Sequence, residues 1–214
     1  QGGRQHESHN QDKFSFDPMK IDAVVVSHAH LDHSGRVPLL SKRGYKGPVY
    51  CHQATRDLCE IMWADFGFLN EKSIEWENRK RQQKGMPPLE PLYSQSEALK
   101  AYEQVVGLAF GTPREILPGV KLTFRDAGHI LGSSIVELLL TEGGESRKLV
   151  FSGDLGHSGA PILRDPEIVH EADLVVMEST YGDRQHRQWQ ETWEEMGSVL
   201  SGAHAKKGNV LIPA

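Results

Sequence analysis

The segment SHAHLDHSG at 27–35 crowds four potential metal-binding side chains into six residues. They are His28, His30, Asp32 and His33, and they follow directly after the apolar run AVVV. Neutral imidazole and carboxylate groups are the usual ligands of zinc and similar transition metals. Alternate residues at a strand end can point the same way, so His28 and His30 can share one ion. Asp32 and His33 lie around the bend and can face a second ion. This density disfavours the alternative of a polar loop with chance histidines.

A second segment, GHILGSS at 128–134, places His129 after the predicted strand VKLTFRDA. A single histidine here would more often be structural, but the first motif makes His129 a candidate ligand. The glycines allow the backbone to approach a bound group closely. Ser133 and Ser134 are candidates to bind an anionic substrate, although serines in such a position are more often turn or cap residues.

A third segment, SGDLG at 152–156, carries Asp154 after the apolar run KLVF. An aspartate in this setting alone would suggest an Asx turn. A carboxylate can, however, bridge two cations, which a neutral imidazole does poorly. Six candidate ligands suit two metal ions about 3.5–4 Å apart with a bridging carboxylate and water. The six are His28, His30, Asp32, His33, His129 and Asp154.

A fourth segment, MESTYGDR at 177–184, places Glu178 at the end of the apolar run LVVM. A carboxylate there is costly unless it is paired or lies near a cation. Carboxylates behind a metal site orient its histidine ligands, and this is the preferred role for Glu178. The alternative is an exposed glutamate at a strand end. Tyr181, Arg184 and His186 are further candidates to line the site.

The elements that must position these residues alternate between short strands and helices. Predicted strands lie at 21–27, 47–51, 105–110, 115–118, 120–127, 134–140, 147–153, 173–179 and 209–213. Predicted helices lie at 35–43, 53–84, 96–104 and 185–207. The mixture of hairpins, crossovers and helices indicates a layered α/β or α+β domain.

Composition narrows the class of protein. Hydrophobic residues make up 38% and charged residues 25% of the 214 residues, as in a soluble globular protein. No apolar run approaches the ~20 residues that cross a membrane. Cys51 and Cys59 form no CxxC pair, which favours reduced thiols and a cytoplasmic location. A net charge of −5 argues weakly against a broad nucleic-acid-binding face but leaves room for a local basic groove.

These motifs together resemble the metallo-β-lactamase fold superfamily. HAHLDH matches its HxHxDH motif, and His129 and Asp154 match its third and fourth metal-binding motifs. ESTYGDR resembles the acidic motif that opens the β-CASP branch, whose members process nucleic acids. GHILGS resembles the RNA-acting members, and GPVYCHQATRDL and PLYSQSEALKAYEQV resemble bacterial or archaeal ones.

The resemblance implies a four-layer αββα sandwich with the site at one edge. It implies a metallo-β-lactamase domain at 1–178 and the start of a β-CASP domain at 179–214. It assigns His28, His30 and His129 to one metal, Asp32 and His33 to the other, and Asp154 as the bridge. The implied catalytic residues are Asp32, which also orients the attacking water, Asp154 and Glu178. The candidate substrate-binding residues from the motifs themselves are Ser133, Ser134, Tyr181 and Arg184.

The family pattern also includes groups that have no counterpart here. An acidic residue on an earlier strand would precede Gln1, and two β-CASP histidines would follow the predicted strand NVLIP. One of those histidines is the family's general acid and the other completes the second metal site. The expectation is a fragment, incomplete at both ends, whose 214 residues alone are weakly active or inactive.

The predicted function is cleavage of RNA phosphodiester bonds by a hydroxide that bridges two metal ions. Zinc is expected from the ligand types, with manganese as the alternative. The other hypotheses are a non-catalytic RNA-binding scaffold and a small-molecule hydrolase of thioesters or lactams. Endonucleolytic and exonucleolytic cleavage both stay open. RNA is the expected partner, and no membrane association is expected. The sequence leaves the oligomeric state open, and a homodimer is one of the alternatives.

Overall fold

The computed structural model describes residue 10 and residues 12–185 and 187–212. The chain divides into two compact units, Gln1–Glu178 and Ser179–Ala214. Each unit is described by itself below. Within the described ranges, no helix is both long and apolar enough to cross a bilayer.

A parallel three-stranded sheet opens the first unit. Its strands, in spatial order, are β1 (Val24–Val25), β2 (Val49–His52) and β3 (Val105–Leu108). Helices α1 (Leu31–Ser34) and α2 (Val37–Lys42) connect β1 to β2, and α3 (Gln53–Gln83) and α4 (Gln95–Tyr102) connect β2 to β3. Parallel strands need such crossovers, because a tight turn cannot return the chain to the same end of the sheet.

A five-stranded sheet forms the second half of this unit. Its strands, in spatial order, are β4 (Arg114–Leu117), β5 (Val120–Asp126), β6 (Ser134–Glu142), β7 (Glu145–Phe151) and β8 (Leu174–Val176). Strands β4 to β7 are antiparallel neighbours, and β8 runs parallel to β7. Consequently β5, β7 and β8 run in one direction and end at the same edge of the sheet.

The two sheets pack face to face. Leu122, Phe124 and Val136 are buried, and they contact Val25 of β1 and Tyr50 of β2. Side chains alternate across a strand, so the neighbours of Tyr50 in β2 point the opposite way. Those neighbours join a second core, where the helices cover the first sheet; its largest buried members are Trp63, Tyr45, Tyr93, Val49, Cys51 and Cys59. The unit therefore contains a helical layer and two sheet layers.

Local sequence signals explain where the longer helices begin and end. Nδ1 of His52 accepts a hydrogen bond from the backbone N–H of Ala54 at the start of α3. The left-handed Gly85, with φ of +66°, follows the end of α3. Ser94 and Glu97 form a reciprocal capping box at the start of α4. Each of these helix limits lies within two residues of its prediction.

The mixed α/β fold predicted from the sequence is confirmed, with three local corrections. Residues 31–34 form the short helix α1, which the sequence pattern suggested to be a loop. In the second unit, α5 (Trp189–Ala205) begins four residues later than predicted. The predicted strand at 209–213 is absent over 209–212, because no described strand of this unit supplies the backbone partners that a ladder needs.

Both cysteines are buried and free, and burial raises the pKa of Cys59 to about 12.

The core between the sheets predicts a clear stability difference between two leucines. Leu122 is fully buried at this interface, so Leu122→Ala should lower the free energy of unfolding by about 2–5 kcal/mol. Leu139 lies on β6 and is 40% exposed, so Leu139→Ala should cost less than about 1 kcal/mol. Urea denaturation followed by fluorescence measures both values. Equal losses for the two variants would contradict the proposed packing of the sheets.

Candidate metal centre

Strand ends from both sheets bring the predicted ligands together. His28 lies just beyond β1, while His129, Asp154 and Glu178 lie just beyond β5, β7 and β8. These last three strands share one direction, so their ends meet at one edge of the sheet. The backbone N–H of Ser134 donates to the carbonyl of Ser27 over 2.9 Å, which ties the exit of β1 to the start of β6.

Three histidines and one carboxylate converge on a common point. Nδ1 of His30 lies 3.1 Å from Nε2 of His28 and 3.2 Å from Nε2 of His129. Oδ2 of Asp154 lies 3.8 Å from Nε2 of His28 and 3.7 Å from Nε2 of His129. An ion bound tetrahedrally through bonds of ~2.0–2.1 Å places its donors about 3.3 Å apart. The observed separations therefore fit one ion at the centre of this group, which we call the three-histidine site.

The electrostatic state of the histidines also suits a metal. Burial, together with the neighbouring His33, His30 and His129, lowers the pKa of His28 to about 3. Burial and His30 lower the pKa of His129, against the opposing effect of Asp154. The neutral imidazole is the metal-binding form. The facing nitrogens lie at hydrogen-bond distance, and a divalent cation at their centre would bind the lone pairs of all three rings.

A second group of donors shares Asp154 with the first. Oδ1 of Asp154 lies 3.2 Å from Nε2 of His33, and Oδ2 of Asp32 lies 3.6 Å from the same nitrogen. The two oxygens of Asp154 thus face different histidines. This arrangement fits a carboxylate that bridges two ions. The Asp32 side chain is 64% exposed, so it lies at the solvent side of the group.

A buried hydrogen-bond chain fixes the turn that carries the first motif. Oγ of Ser34 donates to the carbonyl of Ala29 over 2.9 Å, and Nε1 of Trp63 donates to Oγ of Ser34 over 3.1 Å. The carbonyl of His30 accepts from the backbone N–H of His33, which closes the first turn of α1. The positioning roles of Ser34 and Trp63 were missed from sequence, and no local signal pairs a serine with a tryptophan 29 residues away.

The loop that presents His129 is held by polar contacts to the backbone. Oγ of Ser133 accepts hydrogen bonds from the N–H groups of His129 and Ile130, at 2.9 and 3.2 Å. Oγ of Ser134 donates to the carbonyl of Gly132, and Oγ1 of Thr55 donates to that same carbonyl over 2.7 Å. The position of Thr55, on α3, is a further feature that the sequence did not reveal.

The predicted substrate-binding role of Ser133 and Ser134 disagrees with this geometry. The two residues are 0% and 1% exposed, and both hydroxyl groups hold the turn before β6. A substrate cannot reach them without a rearrangement of the loop. The alternative that the sequence also allowed, a turn role for both serines, is the one that their contacts support.

The Asp154 loop rests against the His129 loop and against Glu178. The backbone N–H of Gly156 donates to the carbonyl of Ala127, and a Cβ added at Gly156 would lie 1.7 Å from the carbonyl oxygen of Gly128. Oε1 of Glu178 accepts from the backbone N–H of Leu155 over 2.6 Å. Glu178 therefore holds the residue that follows Asp154, and its charge, like that of Asp154, opposes the lowering of the His129 pKa by burial.

The remaining predicted site residues belong to the second unit. Tyr181 and Arg184 lie in a turn, where the Arg184 guanidinium carbon is 5.2 Å from the centroid of the Tyr181 ring. Their role in substrate binding stays a prediction. His186 lies outside the described residues.

The chain is similar in sequence to a family profile and to two named relatives. The profile of the Metallo-beta-lactamase superfamily matches residues 6–199. The chain is 39% identical over 207 residues to Ribonuclease TTHA0252 of Thermus thermophilus, which covers 97% of this chain and 43% of that protein. It is 34% identical over 202 residues to Transcription termination factor FttA of Methanococcus maripaludis, which covers 92% of this chain and 29% of that protein.

The chain thus spans less than half the length of these two relatives. Among solved structures, MEM-A1, a subclass B3 metallo-β-lactamase from a soil metagenome library, is 17% identical with a TM-score of 0.45, over 85% of this chain and 66% of that one. The family profile covers most of the chain, including all six candidate ligands. The chain belongs to the metallo-β-lactamase superfamily.

Proposed function

We propose that the chain forms the metal centre of a β-CASP ribonuclease, a hydrolase that cleaves RNA phosphodiester bonds. The observation that carries this proposal is the carboxylate of Asp154, whose two oxygens face His33 on one side and the three-histidine site on the other. The names of the relatives, a ribonuclease and a transcription termination factor, support RNA as the substrate.

The donor set would hold two divalent ions. Nitrogen and oxygen donors in this ratio favour zinc, with manganese as the alternative. His28, His30, His129 and Asp154 would hold one ion, and Asp32, His33 and Asp154 the other. When bound, such a pair supplies a hydroxide nucleophile near neutral pH and offsets negative charge on the phosphoryl oxygens.

The protein side chains would then position the reacting groups. Asp32, which is mostly exposed, would accept a hydrogen bond from the attacking water and orient it toward the phosphorus. Asp154 would fix the separation of the two cationic positions. Glu178 would hold the Asp154 loop through its bond to the backbone of Leu155. These three carboxylates are the proposed catalytic and positioning residues.

The presence of all six candidate ligands favours catalysis over a purely structural role. A scaffold subunit would have no need of six potential ligands in converging positions. The named relatives favour RNA over thioesters or lactams, although the metal chemistry would serve either substrate. The boundary between the two compact units, after Glu178, supports a metallo-β-lactamase domain at 1–178 and a β-CASP segment from 179. The proposed setting is the cytoplasm.

Replacement of Asp154 tests the reaction and its metal dependence together. In the full-length protein, Asp154→Ala should release at least one metal ion per chain and lower kcat for RNA cleavage by about 100-fold or more. The metal content is measured by inductively coupled plasma mass spectrometry and the cleavage with end-labelled RNA. His170→Ala removes an exposed histidine outside the site and is the matched control, with metal content and cleavage unchanged.

Three outcomes distinguish the two-metal ribonuclease from the scaffold and from the small-molecule hydrolase. RNA cleavage that survives Asp154→Ala would contradict the two-metal proposal. A protein that holds two metals but leaves RNA intact would favour the scaffold reading. Cleavage of a thioester without cleavage of RNA would favour the small-molecule hydrolase.

Replacement of Glu178 tests its positioning role. Glu178→Ala leaves the backbone N–H of Leu155 without its carboxylate partner, so the affinity for zinc should fall by about 10- to 100-fold. Glu178→Gln keeps a carbonyl acceptor at this position and should recover part of the affinity. Competition with a fluorescent chelator measures these constants, with the exposed Glu171→Ala as the control. Equal zinc affinity in all four proteins would show that Glu178 does not support the site.

A further inference from the structure

An exposed row of alternating aromatic and basic side chains runs along helix α3. Its members are Phe68, Lys72, Trp76 and Lys80, and we call this row the α3 stripe. Residues four apart lie above one another on the same side of a helix. Phe68 is 43% exposed and Trp76 is 58% exposed. Two large rings on the surface of one helix therefore face solvent, each followed one turn later by a lysine.

The opposite side of α3 makes the helix's packing contacts, so the α3 stripe is not needed for them. Trp63 and Gly67 are buried on that side. Farther along, Oδ1 of Asn70 accepts from the backbone N–H of Leu92 over 2.8 Å. Asn78 exchanges two hydrogen bonds with the backbone of Leu89, at 2.9 and 2.7 Å. The helix is thereby anchored along one side, which leaves the stripe free for another role.

The lysines of the stripe lie over its rings. Nζ of Lys80 is 3.1 Å from the centroid of the Trp76 ring, and Nζ of Lys72 is 5.8 Å from that of Phe68. Lys72 also pairs with Glu75 at 3.1 Å, where both side chains are more than half exposed. Exposed pairs of this kind contribute little stability, so Lys72 can exchange this partner for another anion.

The C-terminal half of the stripe is basic, whereas Asp65, Glu71 and Glu75 flank its first half and the chain as a whole has a net charge of −5. Residues 79–84 contain Arg79, Lys80, Arg81 and Lys84 and no acidic residue. A purely apolar partner would have to remove water from these charges at a high cost. A polyanion with flat, stackable groups complements both features of the stripe. Single-stranded RNA has this composition, because each phosphate is followed by a base with two faces for stacking.

We propose that the α3 stripe is a docking surface for single-stranded RNA, separate from the metal centre. Bases would stack on Phe68 and Trp76, while the ammonium groups of Lys72 and Lys80 would move from the rings and Glu75 to the phosphates. The inference rests on the proposed function, since it takes RNA as the substrate. It adds a second site, which would hold a part of the RNA that lies far from the metal centre.

The position of the stripe sets a length requirement for the RNA. Helix α3 begins beside the metal centre, where Thr55 binds the loop that carries His129. Trp76 lies 21 residues farther along, which corresponds to ~32 Å along a helix that rises ~1.5 Å per residue. Only a strand long enough to cover this distance can contact both places at once. The stripe therefore favours long single strands over short oligonucleotides.

Binding of a hydrolysis-resistant RNA tests the proposal without interference from cleavage. The probe is a fluorescent phosphorothioate single-stranded RNA of about 16 nucleotides. The full chain is loaded with zinc for the measurement. Fluorescence anisotropy should show that Trp76→Ala raises Kd by about 5- to 150-fold, as expected for a lost stacking contact. Ile61→Ala, which truncates a 68% exposed residue earlier on the same helix, is the control and should leave Kd unchanged.

The salt dependence of binding tests the lysines independently. Each of Lys72→Gln and Lys80→Gln should reduce the slope of log K against log salt concentration by about 0.7, the value for one phosphate contact on a single strand. Lys100→Gln, on α4, removes an equal charge outside the stripe and should leave the slope unchanged. Circular dichroism confirms that every variant is folded.

The outcomes distinguish this inference from the proposed function. An unchanged Kd in Trp76→Ala together with unchanged salt slopes would overturn the RNA-docking role, while RNA cleavage by the unmodified protein would still support the ribonuclease. Absence of any RNA binding by the full chain would also overturn it. A change in oligomeric state on Trp76→Ala, with RNA affinity unchanged, would instead assign the stripe to contacts between protein chains.

Discussion

The convergence of metal-binding groups at a sheet edge is the constraint on which this structure depends. Three imidazoles direct ring nitrogens toward one another at hydrogen-bonding distance, and burial keeps His28 neutral. The carboxylate of Asp154 lies beside these nitrogens, 3.8 Å from His28 and 3.7 Å from His129. The fold must therefore hold these groups in position, and a bound ion would stabilise the arrangement further.

The fold meets this constraint through pairs of contacts that join distant segments. Trp63 on α3 binds Ser34, which closes the turn of the first motif, and Thr55 on the same helix binds the His129 loop. Gly156 lets the Asp154 and His129 loops approach to backbone contact. Glu178 then fixes the end of the Asp154 loop from the neighbouring strand. The rigid helix α3 and the shared direction of three strands carry most of this positioning.

Much of the site was predictable because its ligands are recognisable from residue type and local spacing. His28 and His30 occur two residues apart after an apolar run, which is a local signal, and Asp154 follows another such run. The residues that position the ligands were harder to predict from the sequence, because Trp63 acts through a contact that only the tertiary structure creates. Ser133 was assigned to substrate for the same reason: a serine beside a ligand looks the same whether its hydroxyl faces solvent or the backbone of its own loop.

Helix α3 has two proposed roles. Its first turn supports the metal centre, and its exposed stripe is the proposed docking surface for a distal RNA segment.

The central claim is that the carboxylate of Asp154 is shared by two metal ions, and anomalous diffraction from zinc-loaded crystals tests it most directly. Two zinc peaks about 3.5–4 Å apart are expected, one on each oxygen of Asp154. A single peak, or two peaks with Asp154 bound to only one of them, would contradict it.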